Sequence, residues 1–156
     1  MLLRQNGNKI LVCTHSNSAA DLYIRDYLDP FIKANQQIKL LRVYYKDRWV
    51  ATVHKTVQKY CLIDEQSRTF KNPTSEDVQN CQIVVATLST SRVLSTIDLP
   101  IGHFSHIFIG KPKFSFKFSH SALLMFVTKT KSSKDETLFL TCYDAKNLES
   151  VKKTIF

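Results

Sequence analysis

The chain has 156 residues, 44% of them apolar, and 22 Lys and Arg against 13 Asp and Glu give a formal net charge of +9. That length suits one domain, and the apolar share is large enough to close a core. No window approaches the roughly 18 to 20 uninterrupted apolar residues of a membrane span, and "MLLRQNGNKILVC" lacks a long apolar run before a small-residue cleavage site, so a cytoplasmic chain without a membrane partner is expected.

The positive charge is unevenly placed. Residues 1–109 carry 13 basic and 9 acidic side chains, net +4, whereas residues 110–156 carry 9 and 4, net +5. The chain therefore reads as two segments of different character, and overall charge alone is no argument for a nucleic-acid partner. Cys13, Cys61, Cys81 and Cys142 form no CxxC pair and have no His at ligand spacing. A zinc site or disulfide framework is not expected, and apolar neighbours such as Leu11 and Val12 point to buried, reduced thiols. His15 opens a polar turn, and His103 and His106 flank a strand, places where a packed or solvated imidazole is the expectation.

In chain order, "KILVCT" (9–14) is a short apolar run of strand formers. The polar "HSNS" leads into "AADLYIRDYLDPFIK" (19–33), where Ala20, Tyr23, Ile24, Tyr27, Leu28 and Phe31 recur at helical spacing and Pro30 begins a new turn or marks a kink. "IKLLRVYY" (38–45) predicts a second strand and "VHKTVQKYCLI" (53–63) a short helix, followed by a loop through "DEQSRTFKN". Pro73-Thr74-Ser75-Glu76-Asp77 has the composition of a helix start. "CQIVVATLS" (81–89) is a continuous apolar run of the central parallel-strand kind, "TSRVLST" (90–96) a small helix and "FSHIFI" (104–109) a further strand. This order implies an α/β fold with a parallel sheet. Beyond Gly110 the rhythm stops. "KPKFSFKFSHS" alternates Phe with Lys or Ser like a half-exposed strand, "KTKSSKDET" is a polar linker, and "ALLMFV" and "TLFLTCY" could pair as a hairpin unconnected to the earlier units.

Two turns offer chemistry. "THSNSAAD" (14–21) follows a strand and opens a helix, so Ser16, Asn17 and Ser18 stand beside N–H groups suited to phosphate; simple N-capping accounts for the same residues. "ATLSTS" (86–91) repeats the design with Thr87, Ser89 and Thr90 as hydroxyl donors.

These stretches, "ILVCTHSNSAADLYIRDYL", "LLRVYYKDRWVATVHKTVQKYCLI", "IVVATLSTSRVL" and "LPIGHFSHIFI", together resemble the first RecA-like domain of superfamily 1 RNA helicases of the up-frameshift type. Within that group the likeness is to the helicase-with-zinc-finger members first and the Armitage-like RNA-silencing helicases next. It runs from about Lys9 to Ile109 and implies a partial RecA-like P-loop NTPase domain over residues 1–109, followed by an unrelated or poorly ordered basic tail over 110–156. In the family the Ser-Asn-Ser turn is motif Ia and the Thr of "ATLSTS" belongs to the next backbone-binding motif. Carried over, Ser16, Asn17, Ser18 and Thr87 would contact phosphates and sugars of single-stranded RNA, largely without regard to sequence. The resemblance also implies ribonucleoprotein partners, a place in cytoplasmic ribonucleoprotein granules, and ATP and Mg²⁺ as cofactors of the parent family.

Two departures qualify that implication. The Gly-rich phosphate loop of the family lies upstream of motif Ia, ahead of where this sequence starts. After "HIFI" the family continues Asp-Glu-Ala, the Asp holding Mg²⁺ through water and the Glu positioning the attacking water, whereas this chain has Gly110-Lys111-Pro112. The chain is therefore expected to be a helicase fragment that binds no ATP or metal of its own and has no catalytic residues; the alternative is a non-catalytic RNA-binding or protein-interaction module. Gly-Lys is also what an Asp codon split after its first G yields when translation runs into an intron beginning GTAAA or GTAAG, and a Phe, Lys and Ser bias suits AT-rich noncoding DNA. Residues 110–156 are thus expected to be a retained intron or a truncated gene model. Sequencing the transcript across the Ile109 codon should reveal a splice donor there; abundant spliced message that still encodes the tail would refute it.

Overall fold

The computed structural model describes residues 7–100, 102–111 and 139–144, with Lys111 and Phe139–Asp144 described through the backbone. Five parallel strands form one sheet: β1 (Ile10–Thr14), β2 (Leu40–Arg42), β5 (Ile83–Thr87), β6 (His106–Lys111) and β7 (Phe139–Asp144). Their order is β2-β5-β1-β6-β7, so β1 lies at the centre. The fold is α/β, that of a partial RecA-like domain with a parallel sheet.

The central strands β1 and β5 are apolar up to their terminal threonines because both faces are covered. Successive side chains point to opposite faces and divide the interior in two. Ile10, Val12, Ile83, Val85 and Phe108 pack with Ala20, Tyr23, Ile24 and Leu28 on one side. Leu11, Cys13, Val84, Ala86, Ile107 and Ile109 pack with Val78, Leu94 and Phe104 on the other. Cys13 is buried and unbridged, its thiol pushed up to about 12 by burial; Cys61 and Cys81 are also free. His15 is exposed, and His103 sits half-buried edge-on to Phe104 at 4.8 Å.

The first helical segment runs from α1 (Asn17–Tyr23) through a π turn (Ile24–Leu28) into α2 (Asp29–Ala34). Pro30 has no N–H to donate, and its ring would crowd the carbonyl four residues back. The helix widens instead, with Asp29 N–H reaching Ile24 O. The periodic residues Ala20, Tyr23, Ile24 and Leu28 are buried, and Tyr27 and Phe31 partly so. α3 (Lys55–Gln58) is one turn, capped by His54 Nδ1 accepting from Thr56 N at 3.2 Å. α4 (Ser75–Gln79) begins with a capping box between Thr74 and Asp77 and α5 is Arg92–Ser95.

Two expectations need correction. The loop expected through "DEQSRTFKN" contains a hairpin, β3 (Ile63–Asp64) against β4 (Thr69–Phe70). Its strands are too short for a periodic signal, and its turn is closed by Arg68 at φ 58° where glycine would advertise the bend. "TLFLTCY" does not stand apart from the βα units: Phe139–Asp144 joins the sheet as a parallel neighbour of β6, from His106↔Phe139 to Lys111↔Asp144. β6 likewise continues through Gly110 and Lys111. "KPKFSFKFSHS" beyond Lys111, "ALLMFV" and "KTKSSKDET" lie outside the described residues.

A buried carboxylate ties the helical segment to the loop after α3. Asp29 accepts from Lys33 Nζ at 2.7 Å and from Tyr60 Oη at 2.9 Å. Burial pushes its carboxyl up, but hydrogen bonds from Lys33 and Tyr60 outweigh that and hold it below the ordinary 3.8. A lowered pKa means the unfolded state binds the proton more readily, so the contribution is complete above the ordinary value and is lost as pH falls through the lowered one. Asp29→Asn should therefore show a flatter decline of thermal midpoint with acid below about pH 4 than the parent chain.

Candidate nucleic-acid interface

At the carboxyl edge of the sheet, Thr14 at the end of β1 is in register with Thr87 at the end of β5. The turns that follow are stitched together by Leu88 N donating to Thr14 O at 2.9 Å. The two hydroxyl-rich segments that are far apart in sequence thus lie side by side.

In the first turn, Thr14 Oγ1 donates to Ser16 O at 2.9 Å, fixing the chain as it leaves the strand. Ser16 is extended, at φ −134° and ψ 157°, and its Oγ accepts from Ala19 N at 3.2 Å. Capping is therefore part of its role. It uses the hydroxyl oxygen as acceptor and leaves the O–H able to donate. Ser16 and Ser18 are exposed, and Asn17 is half-buried.

Asn17 is oriented from a distance. Arg42, 1% exposed at the end of β2, donates from Nη2 to Asn17 Oδ1 at 2.8 Å. A guanidinium only donates, so the amide oxygen faces Arg42 and the NH₂ faces away. Arg42 Nε reaches Asp21 Oδ1 at 3.2 Å, Nη1 reaches Val43 O at 2.7 Å, and the guanidinium carbon lies 3.9 Å from the centroid of the Tyr44 ring. Tyr44 Oη donates to the same Asp21 oxygen, and its phenol is pushed well up, first by burial and then by that carboxylate against the opposing pull of Arg42. Arg42, Asp21 and Tyr44 were not among the expected site residues; a lone cation inside "LLRVYY" is the signal that could have found them.

The second turn is internally satisfied. Thr87, 3% exposed, and Thr90 bond reciprocally: Thr87 N to Thr90 Oγ1 at 2.9 Å and Thr90 N to Thr87 Oγ1 at 3.1 Å. Thr87 Oγ1 also meets Ser89 Oγ at 3.0 Å, and Ser89 is the exposed hydroxyl. Thr87 sits beneath the surface as the anchor of this turn, whereas Ser16, Asn17 and Ser18 reach it.

No protein-family model matches the chain. Curated relatives do. A 111-residue stretch, 70% of the chain, is 52% identical to "Probable helicase with zinc finger domain" of Danio rerio and 51% identical to the protein of that name in Mus musculus, covering 6% of each. The same length is 38% identical to "3'-5' exoribonuclease HELZ2" of Mus musculus, covering 4% of it. The chain is related to the superfamily 1 RNA helicases. It spans a small part of the length of the relatives it matches.

In this helicase-related fold, the carboxyl end of β6 is where the family resemblance calls for the Asp-Glu pair that serves Mg²⁺. Gly110 and Lys111 occupy those two strand positions. Glycine brings no side-chain ligand, and an ammonium group has three donors and no acceptor, so these residues do not fit the metal. Among the described residues no group of three His, Cys, Asp or Glu could hold an ion, and no helix is long and apolar enough to cross a membrane.

Arg42→Ala should remove about 2 kcal/mol or more of stability, because it opens a cavity, takes the cation from Asp21 and the nearest donor from the Val43 carbonyl, and leaves them only Tyr44 Oη and Thr90 Oγ1. Urea unfolding followed by circular dichroism would read the shift in midpoint.

Proposed function

We propose that this chain is the RNA-contacting part of the first RecA-like domain of an ATP-dependent RNA helicase, and that the chain itself binds single-stranded RNA without hydrolysing ATP. The observation that supports it best is the alignment of Thr14 with Thr87, which sets two helicase-like turns side by side at the carboxyl edge of a parallel sheet. Ser16, Asn17 and Ser18 supply donors to phosphate and sugar oxygens, and Thr87 holds the neighbouring turn in shape. A donor surface without base-edge recognition binds with little sequence preference. On this reading the partners are RNA and ribonucleoprotein components in the cytoplasm and its granules. ATP and Mg²⁺ belong to the longer family members, where hydrolysis is coupled to movement along RNA.

Asn17 permits a sharp test. Asn17→Asp keeps an acceptor for Arg42 but replaces the outward NH₂ with negative charge. The chain should bind a fluorescent oligouridylate with an affinity that falls steeply with salt. Asn17→Asp, and Ser16→Ala combined with Asn17→Ala, should weaken binding at least about tenfold, while Asn17→Asp retains the thermal midpoint. ATP turnover should stay at the level of buffer. Loss of binding on changing tail lysines to Glu, with no effect of the turn variants, would show that the tail and not these turns recognises the RNA.

A further inference from the structure

We infer that the turn at residues 45–49 is a stacking site for unpaired nucleobases, with the rings of Tyr45 and Trp49 as its platform; this rests on the single-stranded RNA reading above. Three large apolar side chains are exposed among the described residues, and two of them belong to this turn: Tyr45 at 61% and Trp49 at 70%. A single exposed aromatic is ordinary, but two in five residues are not scattered surface.

The backbone explains their display. Tyr44 is buried, stacked on Phe70 with centroids 4.5 Å apart and covered by Arg42, so the next residue along an extended chain points outward. Arg48 N donates to Tyr45 O at 3.1 Å, closing a tight turn that keeps Tyr45 and Trp49 at its two ends. Trp49 is anchored through its main chain: its carbonyl accepts from Thr52 Oγ1 at 2.7 Å, it bridges to Thr69, and Val50 N donates to Arg68 O at 3.1 Å. The ring therefore stays exposed on a fixed backbone, with little ordering left to pay for on binding.

Charge and position indicate the occupant. Between the rings lie Lys46, Asp47 and Arg48, the lysine exposed and the Arg48 guanidinium 5.0 Å from the Tyr44 ring. Aromatic faces interleaved with cations suit bases on a phosphate backbone better than an apolar protein surface. The turn also continues the row of strand ends. β2 lies beside β5 and β5 beside β1, and Thr90 Oγ1 of the middle turn donates to Val43 O at 3.4 Å, two residues before Tyr45. A strand whose backbone meets the β1 and β5 turns would reach these rings next along the same edge.

Trp49 is the one tryptophan of the chain, so its emission reports on this site alone. Titrating the full chain with an oligouridylate and with an oligoadenylate should quench that emission along the same isotherm as the anisotropy of labelled RNA. Trp49→Ala and Tyr45→Ala should each weaken binding roughly fivefold or more, and Trp49→Phe should retain it. An abasic oligonucleotide of equal length should still bind with the same salt dependence but leave Trp49 emission unchanged. If RNA binds while Trp49 emission is unmoved and both alanine variants keep parental affinity, the stacking site is refuted and the backbone reading stands; the rings then belong to a protein contact. Absence of salt-dependent RNA binding in the parent chain would overturn both.

Discussion

The buried guanidinium of Arg42 is the contact on which the edge of this fold depends. Its side chain is wholly inaccessible, in a strand where burying an unpartnered cation would be prohibitive. The protein resolves this by giving each end of the fork an oxygen: Asp21 for Nε, the Val43 carbonyl for Nη1 and Asn17 for Nη2, with the Tyr44 face against the plane. Those partners belong to α1, to β2 and its continuation, and to the turn after β1. One cation thereby couples the outermost described βα unit to the orientation of the polar turn at the sheet's centre. The outer edge of β2 is covered as well, since Arg42 N donates to Tyr60 O at 2.7 Å and Cys61 pairs alongside.

The polar turns derive their geometry from the same economy of satisfied groups. Ser16 caps, Thr14 braces and Thr87 with Thr90 close a ring of bonds, so most hydroxyls here first serve the chain. What is left to face outward is specific: exposed serine hydroxyls, one amide NH₂ turned away from Arg42, and the rings of Tyr45 and Trp49. Capping and RNA contact are compatible because a hydroxyl can accept from the backbone and donate outward at once.

At β6 the requirements of fold and chemistry separate. Strand pairing depends on backbone groups, and Gly110 and Lys111 meet that demand while β7 extends the sheet beside them. Metal chemistry depends on side-chain oxygens at the strand end, which these two residues lack. The sheet therefore runs through the position at which the family resemblance is broken.

Much of the architecture was legible because buried parallel strands carry continuous apolar runs: "KILVCT", "CQIVVATLS" and "FSHIFI" each mark a central strand, and helical spacing marks Asn17–Ala34. The π turn was foreshadowed by Pro30, though not its form. The β3–β4 hairpin was hidden because two-residue strands carry no period, and the pairing of β7 because a short apolar segment does not name its neighbour. Ser16, Asn17 and Ser18 could be picked out as a polar turn after a strand. By itself, then, the sequence determined the strand-turn-helix order, the two-faced core and the absence of an Asp-Glu pair directly after Ile109, all properties of local pattern and composition. Only the tertiary structure decided that Thr87 lies beneath the surface, that Asn17 turns its NH₂ outward and that Tyr45 and Trp49 share a turn beside them. Each of those depends on which strands become neighbours and on where a buried Arg42 finds its oxygens, and neither is written in any short stretch of chain.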